Sequence, residues 1–298
     1  MFERGWLSAN QVVGLSEASA SVVDTGYCSH AGQTVALVEQ ALAGRPLTAI
    51  INTHLHSDHC GGNAALQARY PSALTRIPPG EWAAVTAWDD TRLSYRPTGQ
   101  TCPRFRADAI LAPGSTVELG DLRWDVCTAP GHDPHAVLLF QPHHGILISG
   151  DALWQNGFGV VFPELDGADA FDDVGRTLTL IESLDPVTVI PGHGPMFGHR
   201  TEVAEAIRRA RSRLDQFMTQ PDRHRTYALK VLMKFKLLEW QQVPLDRFMA
   251  WACATPYIHT LHALHAAHEP LETWVLELLD QLVASHAAER SDGWVMNR

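Results

Sequence analysis

The sequence predicts an α/β fold in which two β-sheets pack face to face with helices outside, followed by a mainly helical C-terminal region. Short apolar strands end in sharp turns at residues 52–62, 128–135, 150–151 and 191–195, and each turn presents histidine or aspartate. In open α/β architectures such strand ends carry the ligands. The turns would therefore converge at one rim. After about residue 200 the apolar residues recur at helical spacing, which indicates a change of architecture.

Length and charge limit the classes of function. The 298 residues fit one large domain, expected at residues 1–200, and a smaller helical domain at residues 201–298. The formal net charge of −10 argues against nucleic acid or an anionic membrane as the main partner. A small-molecule substrate is the expected partner.

The cysteines and the N-terminus bear on the compartment. The five cysteines form no C-x-x-C pair, which argues against a disulfide framework and favours a reducing compartment. The first residues show no basic segment followed by an apolar one, and no apolar run reaches the length of a membrane span. We therefore expect a cytoplasmic protein with no membrane contact.

The densest group of ligand-type residues follows the apolar stretch 47–52, which predicts a buried strand. Four such residues lie within six positions: His54, His56, Asp58 and His59. We expect the next helix to begin only after Gly61-Gly62. The group is most simply explained by a metal, because imidazole suits Zn, Fe, Ni or Cu and a carboxylate extends the choice towards Mn.

Three later turns repeat this pattern of strand, turn and ligand. Pro130-Gly131 precedes His132, Gly150 precedes Asp151, and Pro191-Gly192 precedes His193. Glycine lets the backbone bend sharply beside each ligand.

Taken in order, these motifs resemble the signature of the metallo-β-lactamase superfamily of metal-dependent hydrolases, over about residues 10–200. The resemblance implies an αββα sandwich and a seven-residue ligand set. By that resemblance one metal is held by His54, His56 and His132, the second by Asp58, His59 and His193, and Asp151 bridges them.

The resemblance also implies a mechanism. Two transition-metal ions, zinc in the first place with iron or manganese as alternatives, would lie about 3.5–4 Å apart. A hydroxide bridging them would attack the carbonyl of an ester, thioester or lactone, and Asp58 would steer this nucleophile as well as bind metal. The run from Thr53 to Gly62 is closest to the glyoxalase II-like group, although the basic residues that hold glutathione in that group cannot be assigned here.

Other functions remain open on the same residues. Members of the superfamily include phosphodiesterases, ribonucleases and persulfide dioxygenases with a single iron. A protein of another class, a winged-helix nucleic-acid-binding protein with an inert hydrolase scaffold, is a further alternative. It is less favoured, because a scaffold has no physical reason to hold unpaired ligands together.

Several residues near the expected site have two readings. Asp24 either orients a ligand histidine or caps an Asx-type turn, and Cys60 fills the tight turn rather than binding metal.

The irregular tract 76–108 is expected to lie near the metals, and the loop 152–172 is expected to shape the pocket. Candidate substrate contacts in the tract are Trp82, Trp88, Tyr95, Arg96 and Arg104.

The helices after residue 200 and the final short strand are similar to a small winged-helix domain found behind some superfamily members. With the net charge of −10, a cap over the site or a homodimer contact is favoured over DNA binding. The spaced residues His259, His262, His265 and His268 indicate a polar or substrate-facing stripe rather than a third metal site, because such a row drifts around the helix.

Overall fold

A computed structural model describes residues 1–165 and 167–298. The strands are β1 Val12–Leu15, β2 Ala20–Val23, β3 Leu47–Ile51, β4 Leu74–Ile77, β5 Ala109–Ile110, β6 Thr116–Leu119, β7 Leu122–Thr128, β8 Val137–Gln141, β9 Ile146–Gly150, β10 Thr188–Pro191, β11 Phe197–Gly198, β12 Gln242–Pro244, β13 Ala288–Ser291 and β14 Trp294–Asn297. The α-helices are α1 Ala31–Leu42, α2 Ser57–Cys60, α3 Asn63–Arg69, α4 Trp82–Ala87, α5 Phe162–Leu165, α6 Ala170–Leu184, α7 Arg200–Thr219, α8 Pro221–Trp240, α9 Leu245–Ala254, α10 Pro256–His265 and α11 Leu271–Ala284. Short 3₁₀ turns cover Cys28–His30 and Pro79–Glu81.

Two sheets form the larger part of the fold. One has the strand order β1-β2-β3-β4-β5 and the other β11-β10-β9-β8-β7-β6. Strand β9 runs parallel to β10 and antiparallel to β8, and β8 runs antiparallel to β7. The C-terminal ends of β7, β9 and β10 therefore lie at the same edge of the second sheet.

The two sheets pack face to face and helices cover their outer faces. Residues such as Ile51 and Ile148 lie in the apolar core between the sheets. Helices α1 and α3 cover the first sheet with residues such as Val38 and Leu66, and α6 and α7 cover the second. These four layers confirm the predicted αββα sandwich, and the buried apolar face of each element accounts for the layering.

The ligand-bearing turn differs from the prediction at one point. Helical backbone begins before Gly61-Gly62, because Ser57–Cys60 already forms a single helical turn, α2. Both glycines are needed because neighbouring backbone lies too close for a side chain. A Cβ on Gly61 would lie 2.6 Å from the Cys28 nitrogen, and one on Gly62 would meet the Thr25 carbonyl oxygen. Strand β4 was not predicted, because its sequence combines an arginine with an exposed leucine.

The region after residue 200 is mainly helical, as predicted. Helices α8, α9 and α11 pack with α10 around a separate apolar cluster that includes Leu229, Phe248 and Leu279. A three-stranded antiparallel sheet in the order β12-β14-β13 closes this cluster. The final segment is thus a hairpin rather than one strand. The boundary at residue 200 and the winged-helix likeness stay predictions.

Within the described parts of the chain, the structure contains no helix with the length and apolar character needed to cross a membrane.

Candidate metal centre

The turn after β3 carries four of the predicted ligands, two of them before helix α2 and two within it. His54 and His56 lie before α2, and His56 has the extended backbone angles φ −62° and ψ 148°. Asp58 and His59 lie within α2 itself. The rings of His54 and His59 are 1% and 0% exposed, so burial fixes their orientation.

The other three ligands come from the common edge of the second sheet. His132 follows β7, Asp151 follows β9 and His193 follows β10. A backbone hydrogen bond of 2.9 Å, from the Val137 N–H to the Thr53 carbonyl oxygen, joins this edge to the ligand turn of the first sheet. Two strand ends from separate sheets thereby meet at one rim.

The first group consists of three imidazoles. Nε2 of His54 lies 3.0 Å from Nδ1 of His56, and the same Nδ1 lies 2.8 Å from Nε2 of His132. All three nitrogens lie within 4.8 Å of one another. Three ring nitrogens this close, aimed at one point, form a donor set for a cation such as zinc.

The second group combines Asp58, His59 and His193, whose ligand atoms also lie within 4.8 Å of one another. Oδ2 of Asp58 is 3.0 Å from Nε2 of His193. A single carboxylate with two imidazoles is a donor set for a transition metal.

The carboxylate of Asp151 lies between the two groups. Its Oδ2 is 3.4 Å from Nε2 of His132 and 3.8 Å from Nε2 of His193, and its Oδ1 is 3.4 Å from Nε2 of His59. One carboxylate therefore contacts histidines of both groups, which is where a bridging ligand would lie.

A metal site fits one further observation. Nε2 of His59 is buried and has no hydrogen-bond partner, although Oδ1 of Asp151 is nearby. On the other side of the ring, Nδ1 donates to Oδ2 of Asp24 at 2.8 Å. Because a ligating histidine usually donates its second nitrogen to a carboxylate, the ring is arranged to bind a cation through Nε2.

Asp24 combines the two readings that the sequence left open. Its backbone has φ 56°, as a turn residue does. Its carboxylate also accepts hydrogen bonds from the Thr53 N–H at 2.9 Å and the Thr53 hydroxyl at 2.8 Å, in addition to the His59 ring. The buried carboxylate thus ties the first strand pair to the ligand turn.

Burial and charge set the protonation of the ligands. Burial and the neighbouring histidines hold the pKa of His54 well below its usual range and lower that of His132 to about 4. Burial would raise the pKa of Asp151, but the nearby His193 and His59 outweigh it and hold that pKa well below the usual range. His54 and His132 are therefore neutral and Asp151 is ionised, which are the forms that bind metals. At His59, by contrast, burial is outweighed by Asp151 and Asp24, which hold the pKa well above its usual range.

Sequence reasoning missed three residues that support the site. The Asn10 side chain donates to the carbonyl oxygens of Pro191 and Gly194 at 2.9 and 2.8 Å and holds the His193 turn. Trp6 stacks on His193 with ring centroids 5.5 Å apart, and Nε1 of Trp154 donates to Oδ1 of Asp151 at 3.1 Å. The Asn10 and Trp6 contacts span distant parts of the chain, so no local pattern marks them. Trp154 lies three positions after Asp151 in the loop expected to shape the pocket, but the direction of its N–H is not a property of the sequence.

A cleft of about 440 Å³ opens above both ligand groups. Its walls come from the N-terminus, the tract at 91–100, the loop at 154–162 and helices α8 and α10. The non-ligand lining residues are Trp6, Thr91, Arg92, Ser94, Pro97, Thr98, Gln100, Trp154, Gly159, Val160, Phe162, Val231, Leu232, Phe235, Pro256, Tyr257 and Thr260. A cleft of this size suits a small-molecule ligand.

The tract 76–108 lies beside the site as expected, but the predicted contact residues are not the ones that line the cleft. Trp82, Trp88 and Tyr95 belong to an apolar cluster behind it. The Tyr95 hydroxyl donates to the Leu55 carbonyl oxygen, and Cys60 is fully buried next to it, filling the turn. The predicted loop 152–172 contributes to the cleft, and its residue Asp166 lies outside the described residues.

The histidine row of the C-terminal region does not form a metal-binding group among the described residues. His259 is exposed, and Nε2 of His262 contacts the Glu269 carbonyl oxygen at 2.9 Å. His265 is half-buried. The row is consistent with the predicted polar stripe.

The chain is similar to known hydrolases. It is 30% identical over 165 residues to the acyl-coenzyme A thioesterase MBLAC2 of Gallus gallus, covering 52% of this chain and 58% of that protein. It is 36% identical over 145 residues to the hydroxyacylglutathione hydrolase of Synechococcus sp. (strain JA-3-3Ab), covering 49% of this chain and 48% of that protein. The chain thus spans about half the length of these curated relatives.

A solved structure shares the fold. The protein TTHA1623, crystallised in a di-iron-bound form, superposes with a TM-score of 0.55 and 26% identity, covering 68% of this chain and 96% of that one. The family model of the metallo-beta-lactamase superfamily matches residues 4–193, which include all seven candidate ligands. This family implies divalent metal ions, and the His/Asp groups fit a metal site. The chain therefore belongs to the metallo-β-lactamase superfamily.

Proposed function

We propose that this protein is a binuclear metal-dependent hydrolase in which water attacks the carbonyl carbon of a small ester, thioester or lactone and the acyl–oxygen or acyl–sulfur bond is broken. One observation carries the proposal: seven ligand side chains from two sheets converge at a cleft that five of them line, and Asp151 contacts both groups. The names of the relatives, a thioesterase and a hydroxyacylglutathione hydrolase, support a carbonyl substrate.

Seven residues would hold two metal ions. His54, His56 and His132 would hold one, Asp58, His59 and His193 the other, with Asp151 shared between them. When bound, such ions lower the pKa of water and polarise a carbonyl oxygen. Zinc is the favoured metal because the set is histidine-rich, with iron or manganese as alternatives, and the di-iron form of TTHA1623 supports testing iron directly.

The chain's own residues would prepare the reaction. Asp58 lines the cleft, and its pKa lies below the usual range: burial opposes this, but the hydrogen bond from His193 outweighs burial. The carboxylate therefore stays ionised, and its Oδ2 can accept a hydrogen bond from the attacking water and orient it, while Trp6 and Trp154 restrict access of bulk water at the His193 side. Asp58 is the proposed catalytic residue.

The alternative functions are less favoured by the same site. A persulfide dioxygenase with one iron needs only one ligand group, whereas both groups are assembled here. Phosphodiester and nucleic-acid substrates require several cationic side chains, and among the described residues that line the cleft Arg92 is the one Lys or Arg. Residues 1–200 would form the metal-binding catalytic domain and residues 201–298 a helical, winged-helix-like cap.

Metal depletion and reconstitution test the proposal. Purified protein would be stripped with a chelator, reconstituted with zinc, iron or manganese, and analysed by elemental analysis. We expect two metals per chain and restored hydrolysis of at least one substrate in a panel of thioesters, esters, lactones, phosphodiesters and RNA. Activity that survives complete metal removal, or activity confined to phosphodiesters or RNA, would contradict the proposal.

A further inference from the structure

We propose that the C-terminal helices α8 and α10 form a binding site for the hydrocarbon chain of the substrate's acyl group. The substrate class is then an unbranched aliphatic acyl thioester or ester, rather than one with a small polar acyl group. This inference rests on the proposed function and deepens it. It also assigns a role to the C-terminal region.

The apolar wall begins directly at the first ligand group. The Phe162 ring lies 5.3 Å from the ring of His56 and 5.9 Å from that of His132, measured between centroids. On its other side Phe162 meets the Tyr257 ring of α10 at 5.8 Å. A continuous aromatic surface therefore leads from the metal ligands to the C-terminal helices.

Helix α8 extends this surface. Val231, Leu232 and Phe235 line the cleft, and their spacing puts them on neighbouring positions of one side of the helix. The other side of α8, with residues such as Leu229 and Met233, is buried in the C-terminal core. Val231 and Leu232 also contact that core, and Phe235 packs against Tyr27 at 5.0 Å between ring centroids. The parts of these side chains that face the cleft are the apolar surface that a hydrocarbon chain would contact.

Solvent exposure along the cleft sets the direction in which the substrate lies. Arg92 and Thr91 are exposed and form the mouth, whereas Leu232, Phe235 and Tyr257 are buried. A leaving thiol or alcohol must reach solvent, so it belongs at the exposed mouth. The acyl chain then occupies the buried apolar end, where each methylene is removed from water.

A chain-length series tests this directly. Acetyl to dodecanoyl thioesters of one small thiol, N-acetylcysteamine, would be hydrolysed by the zinc-loaded protein. We expect kcat/KM to rise by up to about fourfold per methylene until the cleft is filled, and then to level off. A converse series, with a constant acetyl group and alkyl thiols of increasing length, should show a much weaker dependence.

Two cleft variants should change this profile. Val231→Trp on α8 would occupy the apolar end, and Thr260→Trp on α10 would narrow the cleft beside Tyr257. Each change should lower the ratio of decanoyl to butanoyl kcat/KM by about tenfold. The matched control is Val283→Trp, a half-buried valine of α11 that packs on the C-terminal cluster outside the cleft lining. The control should keep the wild-type profile. If Val231→Trp fails to fold, Thr260→Trp still tests the site, because Thr260 is exposed and a larger side chain is tolerated there.

The outcomes separate this inference from the proposed function. A flat acyl series, a dependence found only in the alkyl-thiol series, or cleft variants with the wild-type profile would overturn the acyl site while hydrolysis stands. Absence of hydrolysis across all thioesters, esters and lactones would instead overturn the proposed function and the inference with it. An activity-independent measurement is calorimetric binding of decanoate and butyrate to zinc-loaded protein. Equal affinities would contradict the acyl site.

Discussion

The carboxylate of Asp24 holds the Nδ1 side of the His59 ring at 2.8 Å while Asp151 lies 3.4 Å from Nε2 on the opposite side. His59 is thus fixed between two carboxylates that come from different sheets. Only one of its nitrogens remains for a metal. The ring's orientation therefore depends on a residue thirty-five positions earlier in the chain.

Replacing Asp24 by Asn should weaken metal binding without removing a ligand. The amide no longer accepts a charge-assisted hydrogen bond from His59, so we expect metal affinity to fall by about 10–100-fold. Competition with a chromophoric chelator measures this affinity. The control is Asp121→Asn, in an exposed turn between β6 and β7. An Asp24→Asn protein with wild-type affinity would mean that Asp24 serves only the turn.

Replacing Asp58 by Ala should abolish turnover while the fold persists. The change removes both a candidate ligand and the oxygen proposed to accept the hydrogen bond of the attacking water, and we expect kcat to fall by at least about 10²–10⁴-fold. Circular dichroism and the unfolding temperature should stay close to those of the wild type. An unchanged rate would show that Asp58 is a spectator.

Replacing Trp154 by Phe tests a contact that the sequence did not reveal. Asp151 would lose the N–H that lies 3.1 Å from Oδ1. Because a partner of a ligating carboxylate tunes the site, we expect metal affinity or kcat/KM to fall by about tenfold. Trp294→Phe, an exposed tryptophan in β14, is the matched control and should have no effect. Equal behaviour of the two variants would contradict a role for Trp154.

Glu81 gives the stability a predictable dependence on pH. Its side chain is 9% exposed and Oε2 has no hydrogen-bond partner. Burial, reinforced by Asp133, raises its pKa well above the ordinary 4.5. Glu81 therefore favours the folded state most below pH 4.5, and this contribution is lost as the pH rises towards the folded-state pKa.

Glu81→Gln should accordingly increase the free energy of unfolding relative to the wild type above pH 4.5. The difference should widen by at most about 1.4 kcal/mol per pH unit. Denaturant unfolding of metal-free protein between pH 4 and pH 8, at about unit intervals, measures it. Exposed Glu17→Gln is the control. A difference that is constant with pH would show that Glu81 titrates alike in both states.

The local parts of the site were predictable because their chemistry restricts the sequence. A strand that ends in a ligand needs an apolar run, a residue that permits a sharp turn and a side chain that binds metal, and these are adjacent in sequence. For this reason His132, Asp151 and His193 could be recognised together with the His54–His59 group. The start of α2 was misjudged because a single helical turn has no periodicity to read.

The sequence by itself determined the sandwich, the helical character of the C-terminal region and the identity of the seven ligand-type residues. Only the tertiary structure decided that Asp24 holds His59, that Asn10 supports the turn of His193, and that α8 and α10 line the cleft. The physical reason is the range of the interactions. Ligand type and turn chemistry are local properties of the chain. Packing contacts join residues that are far apart in sequence, so the residues next to either partner do not indicate them.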